Sequence, residues 1–128
     1  MEIWINPACS KCRAAREALD EAGISYVERR YLDDPPTRSE LVEVLDRLRL
    51  EPWDITRTNE PVARETGLAD VPRTPEHREE WITALVEHPA LIQRPIITAE
   101  DGTTVVGRDP DTVGAVIEAE QSDGTASA

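Results

Sequence analysis

Apolar residues fall into short runs near both ends of the chain and into helical spacing between them. Ile3-Trp4-Ile5 is a brief apolar run closed by Asn6-Pro7-Ala8, the pattern of a buried strand and its turn. From Ser10 to Ala22 the positions of Cys12, Ala15, Leu19 and Ala22 mark one face of a helix, and Gly23 stands where a helix stops. Tyr26 to Leu32 is a second strand candidate, ended by the breaker Asp33-Asp34-Pro35-Pro36.

The middle of the chain is helical by pattern. Thr37 followed by Glu40 forms a capping box for a helix running to about Leu50, with Leu41, Leu45 and Leu48 on its core face. Trp53 to Asn59 reads as an irregular link, and Gly67 ends a short helix from Pro61 to Thr66. Thr74 as cap and Pro75 at the first position open another helix, which carries Trp81, Ala84, Leu85 and His88 and stops at Pro89. Beyond it, Pro95-Ile96-Ile97-Thr98 and Thr104-Val105-Val106 flank Asp101-Gly102 as a β-hairpin. Asp109-Pro110 then starts a last helix with Val113, Val116 and Ile117 as its apolar positions. The order βαβ, a helical insertion at about residues 37–88, then ββα predicts an α/β fold. Residues 1–119 are read as a single domain, and 120–128 as an acidic tail without order.

A chain of 128 residues buries a core without disulfides or metals, which leaves its thiols free for other work. With 14 basic against 26 acidic residues the formal charge is −12, which opposes non-specific binding to nucleic acid or to an anionic membrane. No apolar stretch approaches the length of a membrane span. Met1-Glu2-Ile3 carries no basic region followed by a signal-peptide core, so a cytoplasmic protein is expected. Nothing in the pattern argues for a dimer, and a monomer is expected. Lys11 is the only lysine; the other basic side chains are arginines, whose planar fork of donors suits a tetrahedral oxyanion.

The candidate chemistry gathers in NPACSKCR, residues 6–13. Cys9 and Cys12 are the chain's whole stock of thiols, and a Cys-x-x-Cys at the first strand-to-helix junction is the signal of a thioredoxin-like redox unit. A thiol attacks only as its thiolate. Cys9 lies at the first turn of the helix, where unpaired N–H groups and the positive end of the dipole favour an anion. Lys11, Arg13 and Arg16 are expected to add positive charge, which makes Cys9 the expected nucleophile. Cys12, one turn on, is either the resolving thiol that attacks an adduct on Cys9 or a packing residue beside Ala15 and Leu19. Zinc would need two more soft ligands and only His77 and His88 exist, so no metal site is expected. A phosphatase loop of the form Cys-x5-Arg needs arginine at position 15, which is Ala15.

With YLDDPPTRSEL at 31–41, ITRTNEP at 55–61, HPALIQRPII at 88–97 and VVGRDP at 105–110, these residues resemble the glutaredoxin-coupled arsenate reductase family. The segments keep family order and spacing from about residue 2 to 119. The resemblance implies a thioredoxin-like fold with a helical insertion. It implies attack by Cys9 on arsenate or a similar oxyanion held by Arg57 in ITRTNEP, Arg94 in IQRPII and Arg108 in VVGRDP. Three guanidiniums neutralise an anion that would otherwise repel a thiolate. A cis Arg94-Pro95 bond beside the CxxC corner is implied as well. No metal or organic cofactor is needed, only an external thiol reductant such as glutathione with glutaredoxin, or thioredoxin.

Two positions depart from the family pattern. Ile5 stands where such reductases often have histidine, and Cys12 where serine or threonine is common, so an internal disulfide is open to this chain. Cys-x-x-Cys is also typical of Spx-like relatives, redox-sensing regulators that bind RNA polymerase. A general thiol-disulfide oxidoreductase would use the same Cys9.

Overall fold

The computed structural model describes residues 1–126, with side chains as far as Gln121. In chain order the elements are β1 (Glu2–Trp4), α1 (Ser10–Glu21), β2 (Val27–Arg29), α2 (Arg38–Leu48), α3 (Pro61–Glu65), α4 (Arg78–Glu87), β3 (Ile96–Thr98), β4 (Thr104–Val106) and α5 (Pro110–Ala126). They form two compact units, one of residues 1–31 with the chain from Arg94 on, the other of residues 32–93.

The first unit is built on a sheet in the order β2-β1-β3-β4. β1 runs parallel to β2, β3 antiparallel to β1, and β4 antiparallel to β3. Ile3, Ile5, Ile97 and Ala99 from the β1 and β3 segments pack with Cys12, Ala15 and Leu19 of α1 and with Val113 and Val116 of α5. The spacing read in α1 is therefore the face that meets the sheet, and Gly23 (φ 71°) ends the helix as expected. In the two central strands Ile3, Trp4, Ile96 and Ile97 are buried, so both faces of the sheet are covered there.

Unit two is helical, as the pattern predicts. The capping box of α2 closes both ways: Thr37 Oγ1 accepts from the Glu40 N–H at 3.2 Å, and Glu40 Oε1 accepts from the Thr37 N–H at 2.9 Å. Leu41, Val44 and Leu45 are buried, so Val44 takes the inner position expected of the half-buried Leu48. Trp81 and Leu85 of α4 are buried with Ile82, while Ala84 and His88 are only half-covered. Trp53 meets Trp81 edge-on at 6.3 Å, and the Trp81 indole N–H donates to the Pro72 carbonyl.

β2 covers only Val27–Arg29 of the expected Tyr26 to Leu32, and two helix boundaries also differ from the expectation. Pro75–His77 is a separate 3-10 turn, and α4 begins at Arg78. The Thr74 side chain closes no cap bond, and the tight turn sets Glu79 and Glu80 at the positive end of α4 instead. α5 continues past Glu120 to Ala126, because nothing in Glu-Ala-Glu-Gln-Ser stops a helix; the end of the expected tail, 127–128, lies outside the described residues. Among the described residues no helix is long and apolar enough to cross a membrane.

Leu19 is fully buried between sheet and helices, so Leu19→Ala should cost about 2–5 kcal/mol by cavity formation. Thr37→Ala should cost about 1 kcal/mol through the lost cap. Urea denaturation of both variants checks the ranking: equal losses would mean the apolar cluster of the first unit does not carry the larger share.

Candidate active site

Strand direction decides which residues can meet. Arg29, Trp4, Ile96 and Val106 form the last rung at one edge of the sheet, since Trp4 pairs with both Arg29 and Ile96, and Ile96 with Val106. β1, β2 and β4 end at that edge and β3 begins there. Four connections are thereby gathered: Ile5 to Cys9 after β1, Arg30-Tyr31 after β2, Arg94-Pro95 before β3, and Gly107-Arg108 after β4.

The first of these carries the thiols. Asn6 shapes the turn, its Oδ1 accepting from the Ala8 N–H at 3.0 Å and its carbonyl from the Cys9 N–H at 2.9 Å. Cys9 is the N-cap residue of α1, with extended backbone, and its carbonyl accepts the first helical bond, from Arg13. The neutral side chain closes no cap hydrogen bond, but the N–H groups of Cys12 and Lys11 face the sulfur. Burial pushes the Cys9 thiol up; the Cys12 N–H, the Arg94 guanidinium, the Cys12 thiol and the Lys11 N–H outweigh it, and the pKa falls to about 7. Cys12 is fully buried, and that burial pushes its thiol up to about 12 although the Asn6 backbone works the other way. Both cysteines are free thiols.

Arg94 is the cation of the corner. Its side chain hydrogen-bonds Cys9 and Tyr31, and the Arg94-Pro95 bond is cis. Arg108 lies behind it, one guanidinium nitrogen donating to the Arg94 carbonyl at 2.7 Å. Gly107 brings Arg108 close: its N–H donates to the Pro95 carbonyl at 2.8 Å, and an added Cβ would stand 2.7 Å from Ile97 Cδ1. The Cys9 sulfur thus lies among fixed N–H donors and the Arg94 guanidinium, a setting that favours an anion.

A sequence profile of the ArsC family matches residues 4–116. The chain belongs to the ArsC family. It is 37% identical over 118 residues to an arsenate reductase of Neisseria meningitidis, covering 91% of this chain and 97% of the relative. It is 61% identical over 113 residues to the "Uncharacterized protein in glnII region" of Streptomyces viridochromogenes, covering 88% and 95%. The arsenate reductase of Vibrio cholerae superposes with a TM-score of 0.80 at 31% identity, covering 91% and 98%. The mixed four-stranded sheet with its helices is the thioredoxin-like fold of these ArsC structures.

In this ArsC-family chain, Cys9, Cys12, Arg94 and Arg108 fall together in the first unit. Arg57 belongs to the second, where its Nε donates to Glu60 and another guanidinium nitrogen to Gln93, both at 3.2 Å, and its N–H donates to the Leu91 carbonyl. The positive charge expected from Lys11, Arg13 and Arg16 needs correction. Lys11 and Arg13 are exposed, Arg16 is paired with Glu28 at 2.9 Å, and Arg94 is the side-chain cation at the sulfur. In the sequence Tyr31 stands out only as part of a strand candidate and of a family segment. A tyrosine at a strand end has no pattern that separates a core ring from a ring whose hydroxyl serves a site.

Iodoacetamide should label the native protein once, at Cys9. The rate should rise as the thiolate forms through about pH 7 and level off above it, while Cys12 stays unlabelled until the chain unfolds. Peptide mass mapping across a pH series checks both points. A midpoint near the usual cysteine value, 9.0, would remove the proposed role of Arg94 and the α1 N–H groups.

Proposed function

We propose that this ArsC-family chain is an arsenate reductase in which Cys9 is the nucleophile. The supporting observation is the contact of the Cys9 sulfur with Arg94 at the start of α1, which favours the thiolate and offers a cation to the incoming anion. Arg108 is proposed as a second anion ligand. Arg57 enters on its family motif alone.

Cys9 displaces one oxygen of arsenate, which leaves as water after taking up protons, and a sulfur–arsenic(V) bond forms. A second thiol then attacks the Cys9 sulfur. The sulfur–arsenic bond breaks with its electron pair going to arsenic, so arsenic(V) becomes arsenite and two thiols become one disulfide. Cys12 is proposed as that second thiol, since it touches Cys9 through a side-chain hydrogen bond. Burial is the main reason its thiol stays protonated, and the Cys9 thiolate beside it adds to that; once Cys9 is bonded to arsenic, that added share is gone and the Cys12 proton is easier to lose. Glutathione is the alternative resolving thiol, and a glutaredoxin- or thioredoxin-like protein reduces the resulting disulfide. We place the protein in the cytoplasm, where both thiols are kept reduced.

Reduced protein incubated with arsenate without oxygen should yield arsenite and lose two hydrogens in intact mass, with no added thiol. Cys9→Ser should abolish turnover. Cys12→Ser should abolish it in the absence of glutathione and retain it when glutathione and glutaredoxin are supplied. Arsenite formed only with those additions, in the native protein too, would make Cys12 a packing residue. No arsenite under any condition would replace the reductase by the Spx-like redox switch or the general thiol-disulfide oxidoreductase.

A further inference from the structure

Tyr31 is fully buried at the edge of the sheet where the reactive thiol lies, immediately beyond the end of β2. A buried phenol is kept where its hydroxyl has a partner, and the Arg94 guanidinium is one such partner here. A guanidinium carries only donors, so Arg94 donates to the phenol oxygen while it also donates to the Cys9 sulfur. Its carbonyl is gripped separately by Arg108 at 2.7 Å. The backbone of Arg94 is thus fixed from β4, and its side chain from β2.

We propose that Tyr31 is a positioning residue for the reactive thiol: it holds the Arg94 guanidinium against Cys9. The charged or titratable groups gathered about the sulfur are Cys12 on α1 and Arg94 before β3, with Tyr31 after β2 and Arg108 after β4 behind Arg94. Lys11 contributes its backbone N–H. Tyr31 reaches the thiol only through Arg94, and that dependence is what sets it apart from a ring that merely fills space. The inference rests on reading Cys9 as a reactive thiolate but not on arsenate as its substrate.

Tyr31→Phe keeps the ring and removes the acceptor. The alkylation midpoint of Cys9, followed by iodoacetamide labelling against pH, should rise by about one unit, the scale of a weakened charge-assisted hydrogen bond. In the Arg94→Met background the same change should add nothing, because the group it acts through is gone. An unchanged midpoint in a variant that melts like the native protein would overturn the proposal, as would an equal shift with and without Arg94. Should Tyr31→Phe fail to fold, nitrogen NMR of the arginine side chains in Cys9→Ala decides. There the Arg94 guanidinium should still rotate slowly, and rotation as free as that of the exposed Arg13 would overturn the assignment. These readouts hold whether or not arsenite is ever produced, so a failure of the arsenate reading remains distinguishable.

Discussion

The site depends on the direction of four short strands. Reverse any one of them and a connection that now lies at the thiol edge would move to the far edge of the sheet. The parallel β1–β2 pair needs a crossover, and α1 provides it, which is why a helix N-terminus stands at the end of β1. The antiparallel β3–β4 pair then brings both ends of a hairpin, Arg94-Pro95 and Gly107-Arg108, to the same place. Each strand is only three residues long, so the hydrogen-bonded ladder supplies register rather than bulk, and the apolar cluster beneath α1 and α5 holds the arrangement.

Within that frame, two thiols one helical turn apart become chemically unlike. Cys9 keeps partial access to solvent and gathers donors; Cys12 turns into the cluster with Ala15 and Leu19 and loses the water that would stabilise its anion. The separation needs no metal. It follows from the geometry of an N-cap, whose side chain faces free N–H groups while the residue three positions on faces the core. The chain's net charge of −12 makes local placement matter more, because nothing in the global balance favours an anion here.

Much of this was legible in the residues. The helical spacing of Cys12, Ala15 and Leu19, the Thr37–Glu40 box and the β-hairpin around Asp101-Gly102 are local patterns, and local patterns survive folding. The cysteines were legible for the same reason, and the arginines through short motifs. What escaped was long-range. Arg16 looks like a neighbour of the thiol along the helix, yet Glu28 on the adjoining strand takes its charge, and no spacing announces that pairing. Tyr31 and Arg94 lie far apart in sequence and meet only because β2 and β3 flank β1. The start of α4 differs for a smaller cause: Thr74-Pro75 is a sound opening for either kind of helix, and the local pattern does not separate them.

Gly107 carries this interdependence into the core. A methyl group at this position would meet Ile97 Cδ1 at 2.7 Å and Val113 Cγ2 at 3.3 Å, so those side chains would have to shift. The residue that follows is Arg108, so the bulk of a wholly apolar side chain acts as a spacer that sets how far an arginine backbone stands from its neighbours. Substitution at 107 and substitution at 97 are therefore coupled: alanine at 107 requires Ile97 Cδ1 to turn aside and Val113 Cγ2 to give by a few tenths of an ångström. A core residue that never meets solvent thereby weighs on the variants open to the loop.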